Sequence, residues 1–182
     1  MLVSVAICTW NRADLLDQTL TSMHKLLIPP EAVWELIIVN NNCTDTTDSV
    51  IAKHQANLPI RRLFEPQQGK SFALNCACRA AKGEFIIWTD DDVLVEADWL
   101  TRYVEAFKKW PNSSVFGGPV KPFLAGTPPQ WLLDQNIFSR VANVFAAIDL
   151  DPKPIHLTQG KEPYGTNWAV RTKDQRKYLY DT

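Results

Sequence analysis

The chain has 182 residues, a formal net charge of −1 and 46% hydrophobic residues, which is ordinary for one globular domain. The balanced charge gives no electrostatic footprint for nucleic acid or an anionic membrane. The apolar run at the N-terminus is too short for a signal peptide or a membrane span, and no later run reaches the roughly 20 apolar residues of a spanning helix. We therefore expect a cytoplasmic protein or domain that does not bind nucleic acid.

Predicted strands and helices alternate through the first half of the chain. Short apolar segments rich in β-branched residues predict strands at Leu2–Cys8, Glu35–Val39 and Glu84–Thr89. Between the last two, Ile60–Phe64 is also predicted to be a strand, the third in chain order. Apolar residues at helical spacing and helix-start signals such as Thr44-Asp45 predict helices over Leu15–Leu27, from Asp45 to about Gln55, over Lys70–Lys82 and over Trp99–Trp110. This order predicts a mostly parallel sheet with helices on its faces.

The second half is less regular. A short strand is predicted to end at Gly117-Gly118, where the backbone could pass close to a ligand. Pro128-Pro129 precedes a predicted helical stretch that runs through residues 138 and 144, and Asp151–Pro154 reads as a proline-bearing loop. Gly165–Arg171 is predicted to be a turn that leads into a short strand, and the last ten residues show no terminating element.

Three adjacent acids, Asp90, Asp91 and Asp92, follow the fourth predicted strand. Two such charges at about 4 Å repel by about 1 kcal/mol even in water, and a divalent cation relieves this repulsion. Ligation by oxygen atoms alone suits Mg²⁺ or Mn²⁺. In an extended segment Asp90 and Asp92 face one way and Asp91 the other. The alternative interpretation is that the three acids cap the helix that is predicted to start near Ala97.

Polar loops follow three of the four predicted strands. In parallel sheets, ligands bind at the carboxyl ends of the strands. We therefore expect the loops at residues 9–12, 40–42 and 90–92 to meet at one edge, with Gly69-Lys70-Ser71 close to them. Such a site would hold a charged, hydrogen-bonding ligand through a metal ion.

Other motifs are absent or incomplete. Gly69-Lys70-Ser71 resembles the end of a phosphate-binding loop, but Phe64 stands where that motif needs glycine. Neither Gly-x-Gly-x-x-Gly nor Gly-x-Ser-x-Gly is present, which argues against a dinucleotide cofactor and an α/β-hydrolase. The four cysteines form no metal motif and are expected to be reduced and buried. The histidines, His24, His54 and His156, are expected to be solvated or packed rather than metal ligands.

The order and spacing of these segments resemble the inverting glycosyltransferases of family 2, which have the GT-A fold. The resemblance rests on residues 5–12 with their Thr-x-Asn-Arg loop, on 35–45, on the Gly-x-Ser-x-Ala-x-Asn helix at 69–75, on the Asp-x-Asp element at 90–92, and on 117–119 and 165–171. It implies a Rossmann-like three-layer α/β/α sandwich in one GT-A domain over residues 1–182. Residues 1–112 would be the nucleotide-sugar donor half, and residues 113–182 a partial acceptor half that is incomplete at its C-terminus.

The resemblance also implies a hexosyltransferase-like reaction and roles for residues. A nucleotide-diphosphate sugar, with a UDP-sugar favoured, would react with inversion at the hydroxyl of a carbohydrate or lipid-linked acceptor. Mn²⁺ or Mg²⁺ would be bound by Asp92 and Asp90. The nucleotide would be bound by Thr9, Asn11, Arg12, Asn40, Lys70, Asp90 and Asp91. The acceptor side would include Gly117, Gly118, Asn167 and Trp168.

Two features depart from the family pattern. Asn40 stands where the family usually has an Asp that reads the base, which leaves the base preference open. The family's later acidic motif, which carries the general base, is not found. The resemblance therefore implies a chain truncated before its base, with the base beyond Thr182, which binds a donor and transfers weakly or not at all.

Several alternatives stay open at this stage. One is a nucleotide-sugar-binding module without catalysis. Another is a sugar nucleotidyltransferase, although its glycine-rich loop is missing at Trp10-Asn11-Arg12. Trp10, Trp131 and Trp168 either stack on a sugar or pack in the core. An exposed apolar face around Trp131–Phe145 predicts self-association, and peripheral attachment at the inner face of a membrane is also open.

Overall fold

A computed structural model of the chain describes residues 1–124, 126–145, 147–148, 153–159 and 161–182, with the side chains of residues 135 and 143 excepted. The strands are β1 (Leu2–Thr9), β2 (Val33–Asn40), β3 (Ile60–Phe64), β4 (Phe85–Trp88), β5 (Val115–Gly117) and β6 (Trp168–Arg171). The α-helices are α1 (Ala13–Met23), α2 (Thr47–His54), α3 (Lys70–Ala80), α4 (Trp99–Lys109), α5 (Gln130–Leu133), α6 (Gln135–Val141) and α7 (Thr172–Gln175), and a 3₁₀ helix spans Ala142–Phe145. The expected loop at Asp151–Pro154 lies partly outside the described residues.

The strands form one sheet in the order β3-β2-β1-β4-β6-β5. The pairs β1–β2, β1–β4 and β2–β3 are parallel, whereas β6 is antiparallel to both of its neighbours. The prediction of a mostly parallel sheet is confirmed. The four parallel strands all end at the same edge, and the polar loops of interest leave the sheet there.

Alternate residues of the central strands enter two different cores. Val5 and Ile7 belong to a cluster covered by α1, α2 and α4, whereas Ala6 belongs to a cluster covered by α3. Both faces of the strands are therefore buried, which explains why their sequences are almost continuously apolar. Fully burying one such side chain stabilises the fold by about 1.5–3 kcal/mol. The predicted three-layer α/β/α arrangement is confirmed.

Some helix ends differ from the sequence prediction. Helix α1 ends at Met23 instead of Leu27, because the Leu27 N–H donates to the Ala97 carbonyl at 2.8 Å and the Leu27 carbonyl accepts from Thr101 Oγ1 at 2.8 Å. These contacts to the segment before α4 and to α4 itself replace the last helical turn. Helix α7 (Thr172–Gln175) was not predicted, and residues 176–182, which follow it, form a turn and coil without a further helix or strand.

The apolar side chains of residues 131–144 include several that lie at the surface. Trp131, Leu133, Ile137 and Val144 are 49%, 62%, 40% and 81% exposed, respectively. The sequence-based expectation of an exposed apolar face in this segment is confirmed for these residues. Within the described part of the chain, none of the helices has the length and apolar content needed to cross a membrane.

Candidate functional site

The carboxyl edge of the sheet brings the predicted polar loops together. Thr9 at the end of β1 pairs with Asn40 at the end of β2, and Trp88 at the end of β4 pairs with Ala6 of β1. The residues that follow these strands are therefore neighbours. Lys70 opens α3 at the same edge and its Nζ lies 3.2 Å from Asp90 Oδ1.

Arg12 joins the first loop to the three acids. Its Nη1 lies 3.2 Å from Asp91 Oδ1 and 2.9 Å from Asp92 Oδ2. The Arg12 side chain is 51% exposed and that of Asp92 is 41% exposed, whereas that of Asp91 is only 6% exposed. Lys70 pairs with Asp90, so the three carboxylates together contact two cations, Arg12 and Lys70. The predicted alternation does not hold here, because Asp91 and Asp92 lie in a turn and their carboxylates both contact the same Arg12 nitrogen.

Asp91 is the buried member of the three acids. Its carbonyl accepts from Thr19 Oγ1 of α1 at 2.9 Å. Burial raises the pKa of the Asp91 carboxyl above its usual range, against the lowering effects of the Thr9 hydroxyl and the Arg12 guanidinium. Asp91 therefore orients Arg12 and fixes the loop on α1, while Asp90 and Asp92 keep their carboxylates accessible.

The three acids do not cap the following helix. Helix α4 begins at Trp99, and its N-cap residue is Asp98, whose side chain makes no capping hydrogen bond. Asp98 instead pairs with Arg102 at 2.7 Å. The interpretation of residues 90–92 as a helix cap is therefore wrong.

Asn40 turns its amide away from the surface. Its Nδ2 donates to Asp48 Oδ1 at 2.8 Å and its Oδ1 accepts from the Cys43 N–H at 2.8 Å. The residue is 2% exposed, and Asp48 is also held by Arg62 at 2.9 and 2.7 Å. Asn40, which was expected among the nucleotide-binding residues, thus braces the loop that follows β2.

Asn41 and Asp45 also brace the edge. Asp45 was predicted only as part of a helix-start signal, and no role of its own was predicted for Asn41. Asn41 donates to the carbonyls of Glu65 and Gln67 at 3.1 and 2.7 Å, and its Oδ1 accepts from the Gly69 N–H at 2.9 Å. Gly69 has a φ of +144°, a conformation that favours glycine, at the start of α3. Asp45 accepts from the Ala13 N–H and the Thr47 N–H at 3.1 and 3.0 Å, which ties together the first turns of α1 and α2. The only sequence signal for these roles was the polar residue type at a strand or helix end.

Asn11 connects the loops after β1 and β2. Its Oδ1 accepts from the Thr44 N–H at 2.8 Å, and its own N–H donates to Cys43 Sγ at 3.3 Å. Asn11 and Asn42 have φ values of +52° and +60°, which asparagine tolerates better than most residues. Trp10 precedes Asn11 in the same loop and is 53% exposed, so its ring is not part of the core.

A cavity of about 420 Å³ lies beside Asp90. Trp88 at the end of β4 and Thr89 directly after it line the cavity and are almost fully buried. Within the described residues, Trp88 Nε1 and Thr89 Oγ1 have no hydrogen-bond partner. Such buried donors cost free energy unless a ligand or water satisfies them. Asp90 and Lys70 are charged residues that line the cavity, and its other lining residues include Cys8, Trp168 and Tyr180.

Residues 4–168 match the family model described as glycosyl transferase family 2. The chain belongs to this family. It is 28% identical over 132 residues to the succinoglycan biosynthesis protein ExoM of Rhizobium meliloti (strain 1021), a match that covers 71% of this chain and 42% of that protein. The family expected from the sequence is confirmed.

Solved structures show the same fold. S. aureus TarS 1-349 superposes with a TM-score of 0.73 at 19% identity, covering 97% of this chain and 49% of that one. The mannosyltransferase PcManGT from Pyrobaculum calidifontis, in complex with GDP-Man and Mn²⁺, gives 0.68 at 25% identity, covering 98% and 47%. The expected GT-A fold is confirmed, and the chain spans about half or less of the length of these relatives.

The predicted acceptor-side residues of this family 2 chain pack against one another. Asn167 Oδ1 accepts from Trp99 Nε1 and Tyr103 Oη at 2.9 and 2.8 Å, and its Nδ2 donates to the Pro119 carbonyl at 2.8 Å. A Cβ at Gly118 would lie 2.4 Å from Asn167 Nδ2, and one at Gly117 would lie 2.4 Å from Pro163. The glycines are therefore required by packing. The Trp168 ring stacks on Trp88 at 6.4 Å beside the cavity.

Proposed function

We propose that these residues form the nucleotide-sugar donor site of a family 2 glycosyltransferase. The whole protein would transfer the sugar to an acceptor hydroxyl with inversion. The observation that carries the proposal is the convergence of Arg12, Lys70, Asp90 and Asp92 at the carboxyl edge of the sheet. The 25% identical PcManGT, solved with GDP-Man and Mn²⁺, supports a donor of this class.

The carboxylates of Asp90 and Asp92 fit a divalent metal ion that takes its remaining ligands from the substrate and from water. Within the described residues, no group of three or more His, Cys, Asp or Glu side chains is placed to hold a metal alone. Asp90 and Asp92 supply oxygen ligands, and Mg²⁺ typically completes its coordination with phosphates and water. Asp92 and Asp90 would hold the ion, which when bound neutralises charge on the departing nucleoside diphosphate.

Arg12 and Lys70 complete the proposed diphosphate site. Both side chains are accessible cations. In the structure they form ion pairs with the carboxylates of residues 90–92. Diphosphate oxygens would offer them equivalent charge-assisted hydrogen bonds. Asn11 and Thr9 would support the nucleotide from the loop after β1. Because both polar ends of the Asn40 amide are occupied within the protein, base contacts would come from the exposed Trp10 and Asn42 around it.

The general base for acceptor attack is proposed to come from outside these 182 residues. Among the described residues that line the cavity, Asp90 is the one carboxylate, and Asp90 is assigned to the metal and the donor. Attack by an acceptor hydroxyl needs a base within hydrogen-bond reach. On this proposal the chain binds the donor and transfers sugar weakly or not at all, and the carbohydrate or lipid-linked acceptor would be bound with the part that carries the base.

Thermal unfolding with nucleotides tests the donor site. UDP, GDP, CDP and dTDP are added to the wild type, each with and without Mn²⁺. A ligand at about 100 times its Kd stabilises by about 2.7 kcal/mol, which for a chain of this size raises Tm by about 5–10 °C. We expect one nucleotide to act with metal only, and Asp92→Asn to abolish the shift.

Asp98→Asn is the matched control, because Asp98 is a surface acid paired with Arg102 outside the site. It should keep the full shift. If no nucleotide stabilises the wild type under any metal condition, or if Asp92→Asn responds like the wild type, the proposed donor site is wrong.

A further inference from the structure

Two histidines meet at the far ends of α1 and α2. His24 is the C-cap residue of α1 and His54 is the last residue of α2. Both helices start at the carboxyl edge of the sheet and run back, so this pair lies at the opposite edge from the proposed donor site. His24 Nε2 lies 2.7 Å from His54 Nδ1. The ring centroids are 5.0 Å apart, so the rings meet nitrogen to nitrogen and not face to face.

Asp17 fixes which nitrogen of His54 carries the proton. His54 Nε2 lies 2.7 Å from Asp17 Oδ1, and a carboxylate is an acceptor, so a neutral His54 is protonated at Nε2. Its Nδ1 then presents a lone pair to His24, whose Nε2–H donates to it. Lys53 also contacts Asp17, at 2.8 and 2.9 Å, and keeps this carboxylate ionised and in place.

This is the arrangement by which proteins prepare a histidine for a metal ion. A carboxylate on the remote ring nitrogen fixes the tautomer, orients the ring and raises its basicity as a ligand. His54 is buried and held by Asp17, whereas His24 is exposed at the end of its helix. The two ring nitrogens are joined by a hydrogen bond, and His24 is the exposed partner of the pair.

We propose that His24 and His54 form a two-histidine site for a borderline divalent metal ion such as Zn²⁺. Imidazole ligands suit Zn²⁺, Cu²⁺ and Ni²⁺, unlike the oxygen ligands of the donor site. With Zn–N bonds of about 2.0–2.1 Å in tetrahedral geometry, the nitrogens must stand roughly 3.3 Å apart. Ion binding therefore breaks the present hydrogen bond, and the His24 ring turns outward until both lone pairs converge on the ion, which an exposed side chain at a helix end can do.

Binding of the ion requires one proton to move within the histidine pair. When the ion binds, His24 passes its ring proton from Nε2 to Nδ1 through water, and both rings stay neutral. The ion then accepts the lone pairs of His24 Nε2 and His54 Nδ1, while water fills the remaining positions. The bound ion links the end of α1 to the end of α2, so it stabilises the folded chain.

The test is calorimetric titration with Zn²⁺ alone at mildly alkaline pH, since metal affinity rises as the ligands lose their protons. The chain is reduced and Mn²⁺ and nucleotides are absent. We expect one ion per chain, and a rise in Tm of about 5–10 °C at about 100 times the Kd. His24→Ala should lose this binding, and Asp17→Asn should weaken it by about 10- to 100-fold.

Two controls separate this site from others. His156→Ala removes the third histidine of the chain and should bind Zn²⁺ like the wild type. Asp92→Asn should also leave it unchanged, and His24→Ala should keep any nucleotide response, so failure here is distinct from failure of the donor site. In nitrogen NMR spectra of the imidazoles, Zn²⁺ should shift His24 Nε2 and His54 Nδ1. Equal Zn²⁺ affinity in the wild type and His24→Ala, or no binding at millimolar Zn²⁺, would overturn the proposal and leave a hydrogen-bonded relay only.

Discussion

Arg12 holds two of the three acids and occupies the position where a metal ion would compete with it. Replacing Arg12 with Gln removes the charge but keeps a polar side chain. An exposed ion pair is worth about 0.2–1 kcal/mol, so Mn²⁺ binding without nucleotide should tighten by about 1.4-fold to fivefold. Binding of the preferred nucleoside diphosphate should weaken by about tenfold or more, because a hydrogen bond to a charged group is lost. Calorimetry with each ligand measures both effects.

Arg102→Gln is the matched control for this substitution, since Arg102 forms a comparable surface pair with Asp98. It should alter neither affinity. A fall of both affinities in Arg12→Gln would show that Arg12 merely supports the loop.

Asn40 shows how a buried amide differs from the acid that the family usually has at this position. In Asn40→Asp the new carboxylate would face Asp48, whose Oδ1 lies 2.8 Å from the present Nδ2 donor. The lost donor and the like charges should destabilise the fold by about 1–3 kcal/mol, measured by urea unfolding. Asn40→Asp combined with Asp48→Asn restores a donor and should recover part of this loss.

The exposed neighbour Asn42 provides the control for that series. Asn42→Asp adds the same charge at a residue with a φ of +60°, which Asp also tolerates. Its stability should stay within about 0.5 kcal/mol of the wild type. If Asn40→Asp were equally neutral, the hydrogen bond to Asp48 would have no role in stability.

At the level of residues, the sequence predicted well which side chains lie at the site. It predicted less well which contacts those side chains make there. The meeting of Arg12, Lys70 and the acids follows from parallel strands that end at one edge. The inward turn of Asn40 depends on Asp48 and Arg62, which lie on other elements. The contact between His24 and His54 joins residues 30 positions apart. No periodicity or spacing encodes such pairs, so scattered histidines gave no signal.

At the level of elements, Asp45 serves the first turns of two helices with one carboxylate. Burial tends to raise its pKa, but hydrogen bonds from the Thr47 hydroxyl and from the Ala13 and Thr47 amides outweigh this and leave the pKa below its usual range. Asp45→Ala should destabilise the fold by about 1–2 kcal/mol at neutral pH, as the loss of a helix cap does. Urea unfolding at several pH values measures the difference.

The pH dependence of this difference has a definite sign. A carboxyl with a lowered pKa in the folded state contributes stability above its unfolded pKa of about 3.9, and this contribution disappears as pH falls through the folded pKa. The gap between wild type and Asp45→Ala should therefore shrink at acidic pH. Asp14→Ala, which removes an exposed acid from the first turn of α1, should show a smaller effect. A gap in Asp45→Ala that does not depend on pH would contradict the role of the charge.

Strand positions were predicted better than helix ends. β3 matches its predicted bounds to the residue. Helix α1 stops before Leu27 because hydrogen bonds to Ala97 and Thr101 compete with the helix. Those partners are some 70 positions away, so the apolar spacing alone could not indicate the end.

At the level of the whole molecule, the parallel half of the sheet was predictable and the antiparallel half was not. Alternating strands and helices dictate parallel pairs and crossover connections. The insertion of β6 between β4 and β5 depends on a segment more than 50 residues after β5 in sequence, as the bounds show. Local sequence patterns predicted the strand itself, whereas its position in the sheet depends on contacts with residues that are distant in sequence.

The exposed face formed by Trp131, Leu133, Ile137 and Val144 predicts that the chain self-associates. Apolar side chains on a surface gain free energy when a second copy covers them, and a net charge of −1 gives little repulsion between copies. Sedimentation velocity over a wide concentration range should show species larger than the 20.7 kDa monomer. Leu133→Gln with Ile137→Gln should shift the distribution towards monomer. Leu27→Gln, at an equally exposed leucine elsewhere, should not. A wild type that stays monomeric at every concentration would show that this face does not drive association in solution.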